Sequence, residues 1–293
     1  MSALTVSKEE KRVKGMGFLN NRGTDFFSAR VLTINGKVTA AQHRCMAEAA
    51  EKFGSGELLY TTRLSVEIPG IPYEKIDEFR AFIAKENLVT GGTGAKVRPV
   101  VSCKGTTCQY GLLDSYAISE EIYKRFYEGY RDIVLPHKFK IAVGGCPNNC
   151  VKPNLNDVGI IGQRIPKVDT DICKGCKKCA IEAACPNKVA KVVDGKITID
   201  ETQCRHCGRC VGKCPFHTIE DGTYGYKIYV GGRWGKKVSK GRALSKIFTS
   251  REEALDVVEK AILFFRDHGN KGERFAETIE RIGFENVEKE LIG

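Results

Sequence analysis

The sequence has no apolar run long enough to cross a membrane. Its first stretch, Met1 to Lys14, carries charges but no apolar segment of the secretory kind, so no signal peptide is expected. A Gly-rich dinucleotide fingerprint is also missing, so no nucleotide-binding domain of that kind is expected in this chain. There is no long basic block either. The chain has 47 Lys and Arg against 36 Asp and Glu, a formal charge of +11, but the cations are spread along its length, which argues against nucleic acid as the partner. With no export signal, the 13 cysteines are expected in a reducing cytoplasm, where metal ligation is favoured over disulfides. At 293 residues and 42% hydrophobic, the chain can bury a core in two or three domains.

In chain order, residues 1–22 read as a polar arm or short helix. Asp25 to Ile34 reads as a strand, followed by an Asn35-Gly36 turn. Thr39 is placed to cap a helix over 40–53 that Gly54 ends. Leu58 to Ile68 reads as a second strand. Pro72 to Asn87 reads as a helix, with Ile76, Phe79 and Ile83 on one face. Val97 to Ser102 is β-rich, and Ser119 is placed to cap a helix over 120–131. Lys138 to Val143 and Asn156 to Ile161 read as strands. Residues 169–220 are dense in Cys, Lys and Gly, and β character returns at Tyr224 to Val230, so a small module is expected between two strands of one domain. Ser250-Arg251-Glu252-Glu253 reads as a capping box opening a helix to His268.

In the dense module, Cys204-x2-Cys207-x2-Cys210-x3-Cys214-Pro215 is the bacterial ferredoxin run. Cys173-x2-Cys176-x2-Cys179-x5-Cys185-Pro186 repeats it with two extra residues, expected to enlarge a loop. In such runs the fourth thiol crosses to the other cluster. Cys173, Cys176, Cys179 and Cys214 are therefore assigned to one [4Fe–4S] cluster, and Cys204, Cys207, Cys210 and Cys185 to a second. Zinc would favour paired thiols separated by a longer loop. His206 and His217 read as surface or packing residues, and Cys45, on an Ala-rich helix, as a packing cysteine.

Four cysteines remain, as Cys103-x4-Cys108 and Cys146-x3-Cys150. By spacing alone they fit a zinc site, unrelated core cysteines or a third iron–sulfur centre. Gly105, Gly144 and Gly145 leave room for backbone to approach a bulky ligand, and Pro147-Asn148-Asn149 makes a tight turn after a strand. Two lysines, Lys138 and Lys140, alternate along the strand that leads there and leave on one face. The plain alternative is an edge strand guarded by lysines. Arg63 reads as sharing a strand face with Thr61 and Ser65, and Arg30 as sharing one with Leu32 and Ile34.

Cys103-x4-Cys108 together with Gly144-Gly145-Cys146-Pro147-Asn148-Asn149-Cys150 resembles the sirohaem-[4Fe–4S] signature of sulfite and nitrite reductases. With the ferredoxin insert, residues 23–290 are similar to the catalytic subunit of anaerobic sulfite reductases. The first cysteine pair is one residue closer than is usual there. The resemblance implies an α+β nitrite/sulfite reductase-like half with an inserted bacterial-type ferredoxin domain. The expected limits are an arm over 1–22, a ferredoxin-like domain over 23–92, a sirohaem/[4Fe–4S] domain over 93–165 and 221–293, and the insert over 166–220.

The resemblance also implies roles. Cys103, Cys108, Cys146 and Cys150 would hold a third cluster, with Cys150 shared as the axial ligand of sirohaem, and Gly145 and Asn148 beside it. Arg30, Arg63, Lys138 and Lys140 would bind the oxyanion and relay protons. His137 stands where relatives often have Arg. Arg98 and Arg233 are candidates for the sirohaem carboxylates. Three clusters at about −2 each, plus that polycarboxylate, would offset much of the chain's positive charge. The expected activity is six-electron reduction of sulfite to sulfide. Nitrite reduction at the same site is the near alternative, and a non-catalytic electron carrier is one of another class. A flavin subunit oxidising NADH and a further iron–sulfur subunit are the implied partners. Single-chain relatives hold the cations in one half and the ligating thiols in the other. This chain has one such half carrying both sets, so a two-fold dimer with active sites at its interface is expected.

Overall fold

The computed structural model describes residues 8–293; the part of the expected arm at residues 1–7 lies outside them. The fold is α+β, with a four-stranded sheet, a five-stranded sheet and a small hairpin. Lys8–Gly15 forms α1, and Phe18–Asn20 forms β1, which pairs with β2 at Phe26–Val31. Of the expected arm or short helix, the structure shows the short helix, and Val13 and Phe18 are fully buried in the first core.

The first sheet is antiparallel, in the order β1-β2-β4-β3, with β3 at Leu59–Tyr60 and β4 at Val66–Pro72. Helices α2 (Ala40–Phe53) and α3 (Ile76–Ala84) supply the apolar side chains packed against it. Thr39 caps α2: its hydroxyl accepts the Gln42 N–H, and the Gln42 side chain accepts the Thr39 N–H. Gly54 ends the helix, as expected. The helix expected from Pro72 is shorter, because Tyr73–Lys75 is a 3-10 turn and α3 stops at Ala84.

The continuous strand expected over 58–68 is broken. Leu64 N–H donates to Thr61 O at 3.0 Å, Leu64 takes φ 60°, and the Thr61 and Ser65 hydroxyls meet at 2.7 Å. Local side-chain hydrogen bonds here compete with the ladder and turn the chain. Thr61, Arg63 and Ser65 therefore do not share a strand face.

The second sheet runs β11-β10-β7-β6-β5. Strands β5 (Val101–Ser102), β6 (Ile141–Gly144) and β7 (Val158–Pro166) are parallel, and β10 (Gly222–Val230) and β11 (Arg242–Phe248) complete it antiparallel. The four residues of β6 are all buried, as a central parallel strand requires. Helix α4 spans Ser115–Ile122 and continues as a π-helical segment over Tyr123–Glu128. Its cap is Asp114, which accepts the Ala117 N–H, whereas the expected cap Ser119 donates back to Tyr116 O from inside the helix. The core is closed by α6 (Arg251–His268), α7 (Phe275–Ile282) and α8 (Phe284–Ile292). Ser250 caps α6, but Glu253 pairs with Lys246 instead of completing the box.

Strands β7 and β10 pair along their whole length, and residues 167–221 leave and return between them. That segment holds α5 (Ala180–Ala184) and the hairpin of β8 (Ala190–Val193) and β9 (Lys196–Ile199), around a small core of Ile181, Ala190, Ile197 and Ile219. The five residues between Cys179 and Cys185 are α5 itself, with Ile181 buried, and not the enlarged loop expected.

Gly162 of β7 lies directly under the turn that carries Cys146. A Cβ there would sit 2.3 Å from Gly145 O and 2.7 Å from Leu113 Cγ. Gly162→Ala is expected to lower stability by about 1–3 kcal/mol through overpacking, read as a shifted urea midpoint. An unchanged midpoint would show that the turn can move away.

Candidate functional site

The site is built on β5 and β6. Before β5, Val97 bridges Phe139, and Arg98 N–H donates to Phe139 O at 2.8 Å. The two segments then run parallel until Cys103 N–H donates to Val143 O at 3.1 Å. Arg98, Lys138 and Lys140 thus stand at one end of the pair, and Cys103 and Cys146 at the other. Lys140 and Gly145 are separated by about 17 Å of backbone at 3.3 Å per residue. Arg98 is near Cys103 in sequence, but the strand carries the two apart.

At the thiol end, Gly105 and Gly145 touch. A Cβ on Gly145 would lie 2.7 Å from Gly105 Cα, and one on Gly105 would lie 2.8 Å from Gly145 Cα. The Gly145 N–H donates to Cys103 Sγ at 3.1 Å. Cys108 ends a 3-10 turn at Gly105–Thr107, and Asn149 N–H closes the Cys146 turn onto Cys146 O at 3.2 Å, with Asn149 at φ 57°. Burial pushes the Cys146 thiol up; an Asn148 backbone hydrogen bond opposes this, and the potentials of Cys103, Cys150 and Cys108 add to it. Four thiols therefore converge, and Cys150 is the exposed one. Two buried polar atoms beside them, Ser102 Oγ and Asn149 Oδ1, have no hydrogen-bond partner. Thiols gathered around a side-chain-free contact, with orphaned polar atoms beside Cys103 and Cys150, fit a bulky sulfur-ligated group. The orphan atom belongs to Asn149, whereas the sequence pointed to Asn148. Asn148 instead lines a cavity of about 250 Å³ shared by Cys146 and Cys207.

In the module, burial raises the Cys210 thiol to about 11, and the neighbouring charges of Cys207, Cys204 and Cys185 add to it. The remote Cys185 therefore lies with the second run, as the crossing pattern requires. Cys173, Cys179 and Cys214 pack against the same small core, and Cys173 Sγ accepts the Ile197 N–H at 3.4 Å. His206 donates to or accepts from Glu201 at 2.9 Å, and His217 is 3.5 Å from Glu220. Cys45 is buried, and burial raises its thiol, as a packing residue's would be.

The cations gather at the opposite end. Phe139 is fully buried against Phe265 and Phe275, so its neighbours Lys138 and Lys140 turn the other way. The turn at Thr61–Leu64 sends Arg63 across to the second sheet, where it donates to Pro99 O, Ile141 O and Asn156 Oδ1. Arg30 pairs with Glu67 and donates to Gly92 O, and Arg98 also donates to Gly92 O. Arg233 pairs with Glu277 at 2.7 Å. Burial lowers Lys140 to about 8, with Arg63, Lys138 and Arg274 adding to the effect. Burial lowers Arg63 to about 10; Asp157 opposes this, while Arg98 and Arg30 reinforce it. Arg98 is lowered to about 10 by burial and then by Arg30. Lys138 and His137 are also lowered, first by burial and then by Arg274. The six expected cations and His137 thus form one electropositive group that stabilises any anion brought to it.

Two further residues at this end, a cation and its carboxylate partner, carry no motif in the sequence. Arg274, just before α7, donates to both carboxylate oxygens of Asp157 at 2.9 Å, and Asp157 also accepts the Lys140 N–H at 2.8 Å. Both are buried. The one signal was Asn156-Asp157, a polar pair directly ahead of the apolar Val158–Ile161.

The family model described as the nitrite and sulphite reductase 4Fe-4S domain matches residues 93–292, and the one described as the nitrite/sulfite reductase ferredoxin-like half domain matches residues 20–85. The chain is 29% identical over 240 residues to the coenzyme F420-dependent sulfite reductase of Methanocaldococcus jannaschii, covering 81% of this chain and 37% of that protein. It is 30% identical over 174 residues to an anaerobic sulfite reductase subunit of Salmonella typhimurium, covering 54% of this chain and 49% of that one. The chain spans about half or less of these two relatives. Its fold matches a crystal structure of dissimilatory sulfite reductase I with a TM-score of 0.71, at 23% identity, over 91% of this chain and 69% of that one.

The depressed Lys140 gives a signed pH prediction. Below pH 8 the lysine is charged in the folded and the unfolded chain, and its buried charge opposes folding. As pH rises from about 8 toward the ordinary value of 10.5, the folded chain sheds the proton first and the penalty fades. Lys140→Met is expected to be more stable than the parent at pH 7, with the advantage shrinking toward pH 10. A pH-independent difference in urea midpoints would contradict the assignment.

Proposed function

The chain belongs to the nitrite and sulphite reductase family, and on that premise we propose that it reduces sulfite to sulfide at a sirohaem coupled to a [4Fe–4S] cluster. The observation that carries this reading is the convergence of Cys103, Cys108, Cys146 and Cys150 around the Gly105–Gly145 contact. Those thiolates would hold the cluster, and Cys150, the exposed one, would also ligate the sirohaem. Cys173, Cys176, Cys179 and Cys214 would hold a second cluster, and Cys204, Cys207, Cys210 and Cys185 a third. When bound, these groups would supply one-electron storage and redox-active iron for the reduction.

The chain's own residues bind the anion and feed it protons. Sulfite takes up six electrons and seven protons to give hydrosulfide and three waters. Fixed guanidinium and ammonium groups stabilise the oxyanion without reorganising. Arg30, Arg63, Lys138 and Lys140 fill that role, and Lys140, held at about 8, loses and regains a proton near neutral pH. Arg98 and Arg233 lie in the same group and would serve the macrocycle's carboxylates, Arg233 by exchanging its Glu277 partner for them.

The separation of cations from thiolates along β6 supports a two-fold dimer. In it, one copy's cations face the sirohaem of the second copy. A flavin subunit that oxidises NADH and a further iron–sulfur subunit are proposed as the source of electrons, and a reducing cytoplasm suits twelve ligating thiolates.

Anaerobically purified protein is expected to hold about 13 iron per chain, from three cubanes and one sirohaem, with an isobacteriochlorin absorption band. Driven by reduced methyl viologen, it is expected to turn over sulfite faster than nitrite. Faster nitrite turnover would move the substrate to nitrite, and about eight iron without a macrocycle would reduce the chain to an electron carrier.

A further inference from the structure

The two cysteine runs of the module face different ways. Cys207, in the second run, forms a parallel bridge with Arg164 of β7, and Arg164 N–H donates to His206 O at 2.7 Å. Cys207 and Cys146 line one cavity. The second run therefore lies against the body of the protein, beside the four converging thiols.

The first run lies away from that contact, wedged between two other pieces of the module. On one side, a Cβ on Gly175 would meet Gly195 O at 2.3 Å, and Lys196 Nζ donates to Thr170 O, Asp171 O and Cys173 O. On the other, Asp169 N–H donates to Thr218 O at 2.9 Å. Among the described residues of the module, Ile172, Val193 and Phe216 are the large apolar side chains left exposed. These apolar side chains are 39%, 48% and 44% exposed. Between Cys173 and Cys179 stand three lysines, Lys174, Lys177 and Lys178, with no acidic residue among them. All three are exposed, and none forms a hydrogen bond or ion pair among the described residues.

We propose that the exposed surface of this first run, where Lys174, Lys177 and Lys178 follow Ile172, is the docking surface for an acidic electron-carrier protein. The occupant follows from charge and position. Solvated, unpartnered lysines steer a carboxylate-bearing partner, while a small apolar contact excludes water without holding the complex long. Transient redox encounters use small surfaces of this kind. The face lies over the run remote from the Cys146 cavity, so a carrier docked there reaches the module without blocking its contact with the body. This inference rests on the iron–sulfur reading of the module, but not on sulfite as substrate.

The test uses the full-length holoprotein and, as probe, a small acidic bacterial-type ferredoxin in its oxidised form. Binding is measured by calorimetry, with carbodiimide cross-linking to map the lysines joined to ferredoxin carboxylates. The expected result is measurable binding at low salt that weakens at least tenfold at high salt, with cross-links at Lys174, Lys177 or Lys178. The combined Lys174→Glu, Lys177→Glu and Lys178→Glu protein should lose at least tenfold in affinity at unchanged iron content. The matching Lys→Arg protein should bind like the parent, and so should a control carrying Lys260→Glu, Lys271→Glu and Lys289→Glu. Absence of binding, cross-links confined to other lysines, or an equal loss in the control would overturn the proposal. Cross-linking on the parent protein decides the matter even if the reversed variant fails to fold. Methyl viologen-driven turnover reads the sulfite activity separately, so each reading can fail alone.

Discussion

The relation between the cations and the four converging thiols hangs on the parallel pairing of two short segments, Val97–Cys103 and Phe139–Gly144. Their hydrogen bonds start at Arg98 and end at Cys103. That pairing places guanidinium and ammonium groups at one end and thiols at the other, and neither set can move toward the other without unzipping a fully buried strand. The surrounding structure serves this constraint. Phe139 is locked by Phe265 and Phe275, which fixes the direction of Lys138 and Lys140. Asp157 holds the Lys140 backbone and is itself held by Arg274. At the far end, Gly145 rests on Gly162 below and Gly105 beside it, and no side chain fits between.

Electrostatics explains why such an arrangement is retained. Burial and mutual repulsion lower Lys140, Arg63 and Arg98, so the charges of these groups oppose folding. Only a few carboxylates, Asp157, Glu67 and Glu277, answer them. A concentration of unneutralised cations is favourable only when an anion completes it. On the proposed reading, thiolate clusters and a carboxylate-rich macrocycle would offset much of the net charge of +11.

Much of this was legible in the sequence, and unevenly. The capping box at Thr39 and the end of α2 at Gly54 were readable because they depend on neighbours in sequence. The family and the α+β class were readable from cysteine spacing. The break at Thr61–Leu64 was not, because the apolar pattern on either side runs through it while local hydroxyl bonds decide the outcome. The start of α4 was hidden because Asp114, and not the more central Ser119, meets the free Ala117 N–H. Arg274 and Asp157 could not be paired in advance: 117 positions separate them, and neither lies in a pattern. Arg98 shows the converse: it is near Cys103 in sequence, yet the extended strand between them sets the two at opposite ends of the pairing.

The central claim is that cations and thiolates of one chain serve different active sites. Mixed dimers test it directly. One copy carries Cys150→Ser and keeps its cations; the other carries Lys138→Met with Lys140→Met and keeps its thiols. Distinct tags allow the mixed species to be isolated. Each variant alone should be inactive, and the mixed dimer should recover about half of the parent's sulfite reduction, from the one intact site that two-fold symmetry leaves. No recovery in the mixed dimer would mean that both sets act within one chain, contrary to this account.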